Sequence, residues 1–174
     1  VPWGLRLHAI PFRLSCRAIA WSVPTGGSAG ALPGAIVTLE EALNLSREQV
    51  CLAMFAAGGI GVILDTRATF AAEVAGCQVE IGAGGAMASA ACTEAAGGSV
   101  REALDAASIS FQNTMGSICD PVQGMVAIPC HTRNASAAAG AFVNADLILG
   151  GYENDIPLDE AIDATDDARL KERL

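Results

Sequence analysis

Three cysteines are the residues of this sequence best placed to do chemistry: Cys77 in Gly76-Cys77-Gln78, Cys119 in Cys119-Asp120-Pro121 and Cys130 in Pro129-Cys130. They are separated by 42 and then 11 positions. Each sits in a polar or turn-forming setting, where a thiolate can be held against a metal. We read them as three ligands of one iron–sulfur cluster, although no general spacing rule covers 42 and 11. None of the six cysteines forms a C-x-x-C pair, which excludes a zinc ribbon or a thioredoxin motif. Cys16, Cys51 and Cys92 lie among apolar or small residues and are expected to be buried thiols.

A second chemical feature is the glycine-rich run Pro24-Thr25-Gly26-Gly27-Ser28-Ala29-Gly30-Ala31-Leu32-Pro33-Gly34. Backbone N–H groups ahead of a helix N-terminus can hold an anion, and Thr25 and Ser28 add hydroxyls. The same run reads equally well as a plain helix entry, with Pro33 in the first turn. Other glycine clusters do not bind dinucleotides: Met87 and Leu64 stand where the third glycine of a G-x-G-x-x-G pattern belongs. Pyridoxal phosphate is excluded as well, because the one lysine, Lys171, lies in the charged tail and not in a pocket.

Elements must position these residues, and the composition names their kind. Of 174 residues 52% are hydrophobic but only 5% aromatic, so the surplus is alanine and small aliphatics. That suits an all-α, compact bundle of closely packed Ala/Gly-rich helices around an irregular, cysteine-bearing loop region. A formal charge of −9 argues against nucleic acid or an anionic membrane as partner. The longest uncharged apolar run, Val50 to Leu64, is 15 residues, short for a bilayer and expected as a buried helix.

Ser46-Arg47-Glu48-Gln49 and Ser99-Val100-Arg101-Glu102 fit capping boxes that open helices. Between them Ile81 to Ala96 predicts a helix weakened at its start by Gly82, Gly84 and Gly85 and ended by Gly97-Gly98. Thr114 to Arg133 is irregular, broken by Pro121, Gly124 and Pro129. Asn134 is expected to cap a helix running to about Leu149, closed by Gly150-Gly151. Seven acids between Glu153 and Asp167 read as the wet face of a helix from Pro157 onward. Residues 1–23 carry arginines without acids and are set apart as an atypical, truncated N-terminal segment; residues 24–174 form the domain.

Three stretches together carry a resemblance: Ala72-Glu73-Val74-Ala75-Gly76-Cys77-Gln78-Val79-Glu80-Ile81-Gly82, then Cys119-Asp120-Pro121-Val122-Gln123-Gly124, then Ile128-Pro129-Cys130-His131-Thr132-Arg133-Asn134-Ala135. In order and spacing they resemble the α subunit or α domain of iron–sulfur-dependent L-serine dehydratases, and Pro24 to Gly30 is similar to that family's Pro-Thr-x-Gly-x-Ala-Gly loop. The resemblance implies an all-helical catalytic domain with a four-iron four-sulfur cluster on Cys77, Cys119 and Cys130. One iron would then lack a protein thiolate and act as a Lewis acid on the substrate hydroxyl. The implied reaction is β-elimination of L-serine to pyruvate and ammonia, in the cytoplasm, with a β subunit as partner. Thr25, Gly26, Gly27, Ser28, Ala29, Arg133 and Asn134 are the implied substrate-binding residues. No base is assigned; His131, beside Cys130, is read as structural.

Against the family pattern, the text lacks an upstream Ser-Gly-Leu-Thr-Gly-Gly type segment and the extension beyond the acidic helix, so the domain is expected to be partial. Two alternatives stand beside this reading. One is an L-cysteine desulfidase-like lyase, in which sulfide leaves in place of water; the other is a non-catalytic cluster-binding fragment or subunit.

Overall fold

The computed structural model describes residues 26–125 and 127–171. Among them are seven helices and no strand: α1 (Ala31–Leu43), α2 (Arg47–Arg67), α3 (Ala72–Ala75), α4 (Cys77–Ala95), α5 (Val100–Thr114), α6 (Ala127–Leu149) and α7 (Leu158–Lys171). The all-α expectation holds for the described residues. The segment 1–23, with His8 and Cys16, and the loop residue Thr25 lie outside them.

Local chemistry sets the helix ends. Both capping boxes form: Gln49 N–H donates to Ser46 Oγ while Ser46 N–H donates to Gln49 Oε1, and Ser99 and Glu102 repeat the exchange. At the end of α4, Gly97 takes φ +86° and Gly98 N–H donates back to Thr93 O, which closes the helix as a Schellman turn. α6 ends in the same way at Gly150-Gly151.

α4 is the axis of the bundle. Sixteen of its nineteen residues are buried, and α1, α2, α5 and α6 all pack on it. It begins at Cys77, earlier than the glycines suggested. The helix penalty of about 1 kcal/mol per glycine is offset by close packing: a Cβ at Gly84 would fall 2.7 Å from Ser28, so only glycine lets the loop before α1 lie against this helix. Two buried hydroxyls along α4 are satisfied within the protein, Ser89 by Gly85 O and Asn144, Thr93 by Ser89 O. Leu32, Leu39, Ile60, Leu64, Met87, Phe111 and Ile162 fill the gaps between the alanines.

Three expectations are corrected. α6 starts at Ala127, so Asn134 is inside the helix and not at its cap. Pro129 does not break it, because a first-turn residue has no intrahelical partner for an N–H. α2 has 21 residues, long and apolar enough by length and composition to cross a membrane, yet it is not a buried helix. Only Ala53, Ala57, Ile60, Gly61 and Leu64 are buried, because α2 lies at the edge of the bundle and offers α4 a single face. Cys51, Leu52, Phe55 and Val62 remain exposed on the other side, which also overturns the buried-thiol reading of Cys51.

Candidate metal centre

The site is built from two helix starts and one loop. Cys77 is the first residue of α4, and Cys130 lies in the first turn of α6. Both thiols therefore sit at helix N-termini, where the backbone dipole favours negative charge. Gly76, at φ +78°, turns the chain from α3 into α4. Cys119 comes from the loop between α5 and α6.

Gln78 brings that loop to Cys77. Its backbone N–H donates to Ser117 O and its Oε1 accepts from Gly116 N–H, both at 2.9 Å, and its side chain is fully buried. Further along, Val122 and Met125 pair across Gln123 and Gly124, both at positive φ, in a tight turn of type I′ geometry. Arg133, from α6, closes the loop from the other side. Its Nη1 donates to Cys77 Sγ at 3.1 Å, to Ile118 O at 3.3 Å and to Asp120 Oδ1 at 2.5 Å.

Burial pushes the Cys77 thiol up to about 11; Cys130 and Cys119 push the same way, and the Arg133 guanidinium pulls it back. Cys130 is raised too, first by burial and next by the Glu80 carboxylate, with Arg133 again opposing. Cys77 thus feels charge at Cys130 and Cys119, and Cys130 feels charge at Cys119. Asp120 is held below the usual carboxylate range by its hydrogen bond with Arg133. A metal entering here must displace thiol protons, and its own charge supplies the drive.

The glycine loop reaches the same place. Gly27 N–H donates to Glu80 Oε1 at 2.7 Å, and Glu80 is one turn along α4 from Cys77. A Cβ at Gly27 would fall 2.5 Å from the Glu80 carboxyl carbon, so the contact requires glycine. From α6, Asn134 Oδ1 accepts from Gly30 N–H at 2.8 Å, while its Nδ2 donates to Gly27 O and to Cys130 O. Each cysteine-bearing helix therefore grips the loop one turn beyond its cysteine.

Of the residues picked from sequence, Cys77, Cys130, Arg133, Asn134 and Gly27 are linked around this centre, Cys119 acts on Cys77 and Cys130 by its charge, Gly26 lines the cleft beside Glu80, and Ser28 packs against Gly84 further along α4. Ser28 is fully buried and His131 is exposed. Sequence reasoning missed Gln78 and Glu80, whose only signal was their spacing of one and three positions from Cys77. Glu80 and Gly26 open onto a cleft of about 420 Å³ that also carries Asp65 and Glu73.

The donor set fits an iron–sulfur group. Two buried thiols, Cys77 and Cys130, meet beside a guanidinium that offsets thiolate charge, and Cys119 lies near enough for its charge to act on both. Gln78 Nε2, fully buried beside Cys77, has no partner among the described residues, and a guest carrying acceptor atoms would supply one.

Comparisons with known proteins agree in direction. The sequence model of the family described as "Serine dehydratase alpha chain" matches residues 14–170. The chain is 42% identical over 143 residues to the probable L-serine dehydratase, alpha chain, of Bacillus subtilis (strain 168), covering 82% of this chain and 48% of that protein. It is 43% identical over 141 residues to the L-serine dehydratase, alpha chain, of Peptoniphilus asaccharolyticus, covering 81% and 48%. With the probable alpha chain of Latilactobacillus sakei the identity is 38% over 146 residues, covering 84% and 70%. The chain thus spans about half the length of the first two relatives.

Proposed function

This chain belongs to the serine dehydratase alpha chain family, and from that membership we propose that it is the cluster-binding part of a cytoplasmic L-serine dehydratase that works with a β subunit. The reaction is β-elimination: the α-proton and the β-hydroxyl of L-serine leave, and hydrolysis of the resulting enamine gives pyruvate and ammonia. Cys77, Cys119 and Cys130 would hold a four-iron four-sulfur cluster, which when bound supplies a Lewis-acidic iron free of a protein thiolate.

The residues of the chain do the rest. Arg133 supports Cys77 in its thiolate form and ties down the Cys119 loop through Asp120 and Ile118. Glu80 and Asn134 fix the glycine loop at Gly27 and Gly30, and Gly26 lines the cleft beside Glu80; Ser28 and Ala29 complete the proposed substrate loop, with Thr25 preceding them in sequence. The acidic lining of the adjoining cleft, Asp65, Glu73 and Glu80, suits the α-ammonium end of an amino acid. A preset loop of this kind orients a substrate without reorganisation cost.

The observation that supports the reading is the meeting of the Cys77 and Cys130 thiols, with the Cys119 loop tied to them by Arg133 and Gln78, beside a glycine loop clamped by Glu80 and Asn134. Its test is anaerobic expression with and without a β-type partner, followed by iron, sulfide and pyruvate assays. The expected result is iron and sulfide in the wild type, loss of both in Cys77→Ala, and pyruvate from L-serine with the partner present. A reconstituted protein without iron sinks the reading, and a loaded complex that makes no pyruvate sinks its catalytic half.

A further inference from the structure

We propose that Gln78 is a positioning residue of the metal centre: its Oε1 seats the loop that delivers Cys119, and its Nε2 donates to a sulfur of the cluster when one is bound. Both roles presuppose the three-cysteine cluster of the proposed function.

The orphan donor is a specific one. Gln78 is fully buried, and Nε2 is the one buried side-chain nitrogen or oxygen without a hydrogen-bond partner among the described residues. Proteins rarely bury an amide in this way, because the hydration an N–H loses is recovered only from an acceptor. Turning the amide over does not cure it. Gly116 N–H lies 2.9 Å from Oε1 and needs an acceptor, so a flipped amide would set two donors against each other. The side chain is thus locked with its oxygen on the loop and its NH₂ group in want of an acceptor.

Position supplies that acceptor. Gln78 follows Cys77 on α4, and it holds Gly116 N–H and Ser117 O, three and two positions before Cys119. The residue therefore joins the segments that carry two of the three thiols. Sulfur already accepts from nitrogen at this centre, from Arg133 Nη1 to Cys77 Sγ at 3.1 Å. A cluster on three thiolates gathers negative charge on sulfur in a buried place, and hydrogen bonds to those sulfurs govern its retention and its reduction potential. Gln78 is neutral, so it adds a donor without adding to the positive charge that Arg133 brings. One carboxamide then touches the Cys119 loop with one end and the cluster with the other, so that binding the cluster also favours the loop position that Oε1 holds.

The test reconstitutes the full chain anaerobically with iron and sulfide. Wild type is compared with Gln78→Met, which matches the side chain in length but offers neither amide group, and with Gln78→Glu, which keeps an acceptor for Gly116 N–H. Iron release to a chelator, the reduction potential of the cluster and the shift of its Fe–S stretching bands in D₂O are measured. Gln78→Met should release iron about tenfold faster, at a lower potential and with a smaller D₂O shift. A merely structural role would move iron release and leave the other two readouts alone. Gln78→Glu should resist proteolysis within the 116–125 loop as wild type does and still share the lowered potential. Wild-type potential and D₂O shift in either variant overturns the proposal. If Gln78→Glu takes up no cluster, a loop as resistant as that of wild type supports the proposal, and a loop cleaved faster overturns it. A wild type that takes up no iron sinks the cluster reading and Gln78's role with it, whereas a loaded wild type with unaffected variants sinks only the role of Gln78.

Discussion

Asn134 and Gly30 are joined by a hydrogen bond of 2.8 Å across 104 positions of sequence, from the loop amide to the side-chain oxygen. The same carboxamide donates to Gly27 O and Cys130 O, so one buried group couples the glycine loop to the helix that carries Cys130. Asn134→Ala removes the acceptor and leaves the Gly30 N–H unpaired, a cost of about 1–3 kcal/mol. Asn134→Asp keeps the acceptor but sets carboxylate oxygen against two carbonyls. The aspartate variant should therefore be the less stable of the two. Urea unfolding midpoints at pH 7 would show this order, and the reverse order would refute the clamp.

Arg133 holds the Cys119 loop through two acceptors, Ile118 O and Asp120 Oδ1, and ties it to α4 through a third, Cys77 Sγ. Arg133→Ala should therefore release the 116–125 loop more than Asp120→Asn does. Limited proteolysis is the direct measurement: cleavage within this loop is expected to speed up several-fold in Arg133→Ala, less in Asp120→Asn. Equal cleavage in wild type and Arg133→Ala would show that Gln78 alone secures the loop.

What could be read from the sequence was what acts over a few residues. Ser46 and Ser99 announced their helices because a capping box is complete within four positions. The Gly97 and Gly150 helix ends were legible for the same reason. The family was legible through the text around the three cysteines and not through their spacing. Glu80 was not, since Gln78-Val79-Glu80 looks like an ordinary helical stretch and its partner Gly27 is 53 positions away. Asn134 was misread as a cap because Pro129 looked like a break, whereas its place in the first turn costs no hydrogen bond. The exposed face of α2 was hidden because its outer residues are as apolar as its inner ones.

Among the described residues, the two cysteines outside the centre should differ sharply in reactivity. Cys51 is exposed, whereas burial pushes the Cys92 thiol up to about 12, with Asp146 adding to the shift. Iodoacetamide at pH 8 should label Cys51 in the native chain and Cys92 only in denaturant, as read by peptide mass spectrometry. The sign for stability follows from the same shift. Between the ordinary thiol value of 9.0 and about 12 the unfolded chain loses this proton and the folded chain keeps it, so Cys92 makes stability fall as pH rises through that window. Cys92→Ala should flatten this part of the decline, and an unchanged slope would refute the assignment.

Phe55 and Phe111 test how one-sided the packing of α2 is. Phe111, 1% exposed, sits in the core against α4, whereas Phe55, on α2, is 78% exposed. Phe111→Ala should cost about 3–5 kcal/mol through lost burial and a residual cavity. Phe55→Ala should change stability by no more than about 0.5 kcal/mol, because it removes no buried contact. Chemical denaturation of both variants decides the matter. A large loss for Phe55→Ala would mean that its ring is covered in solution, and that the outer face of α2 is not a free surface.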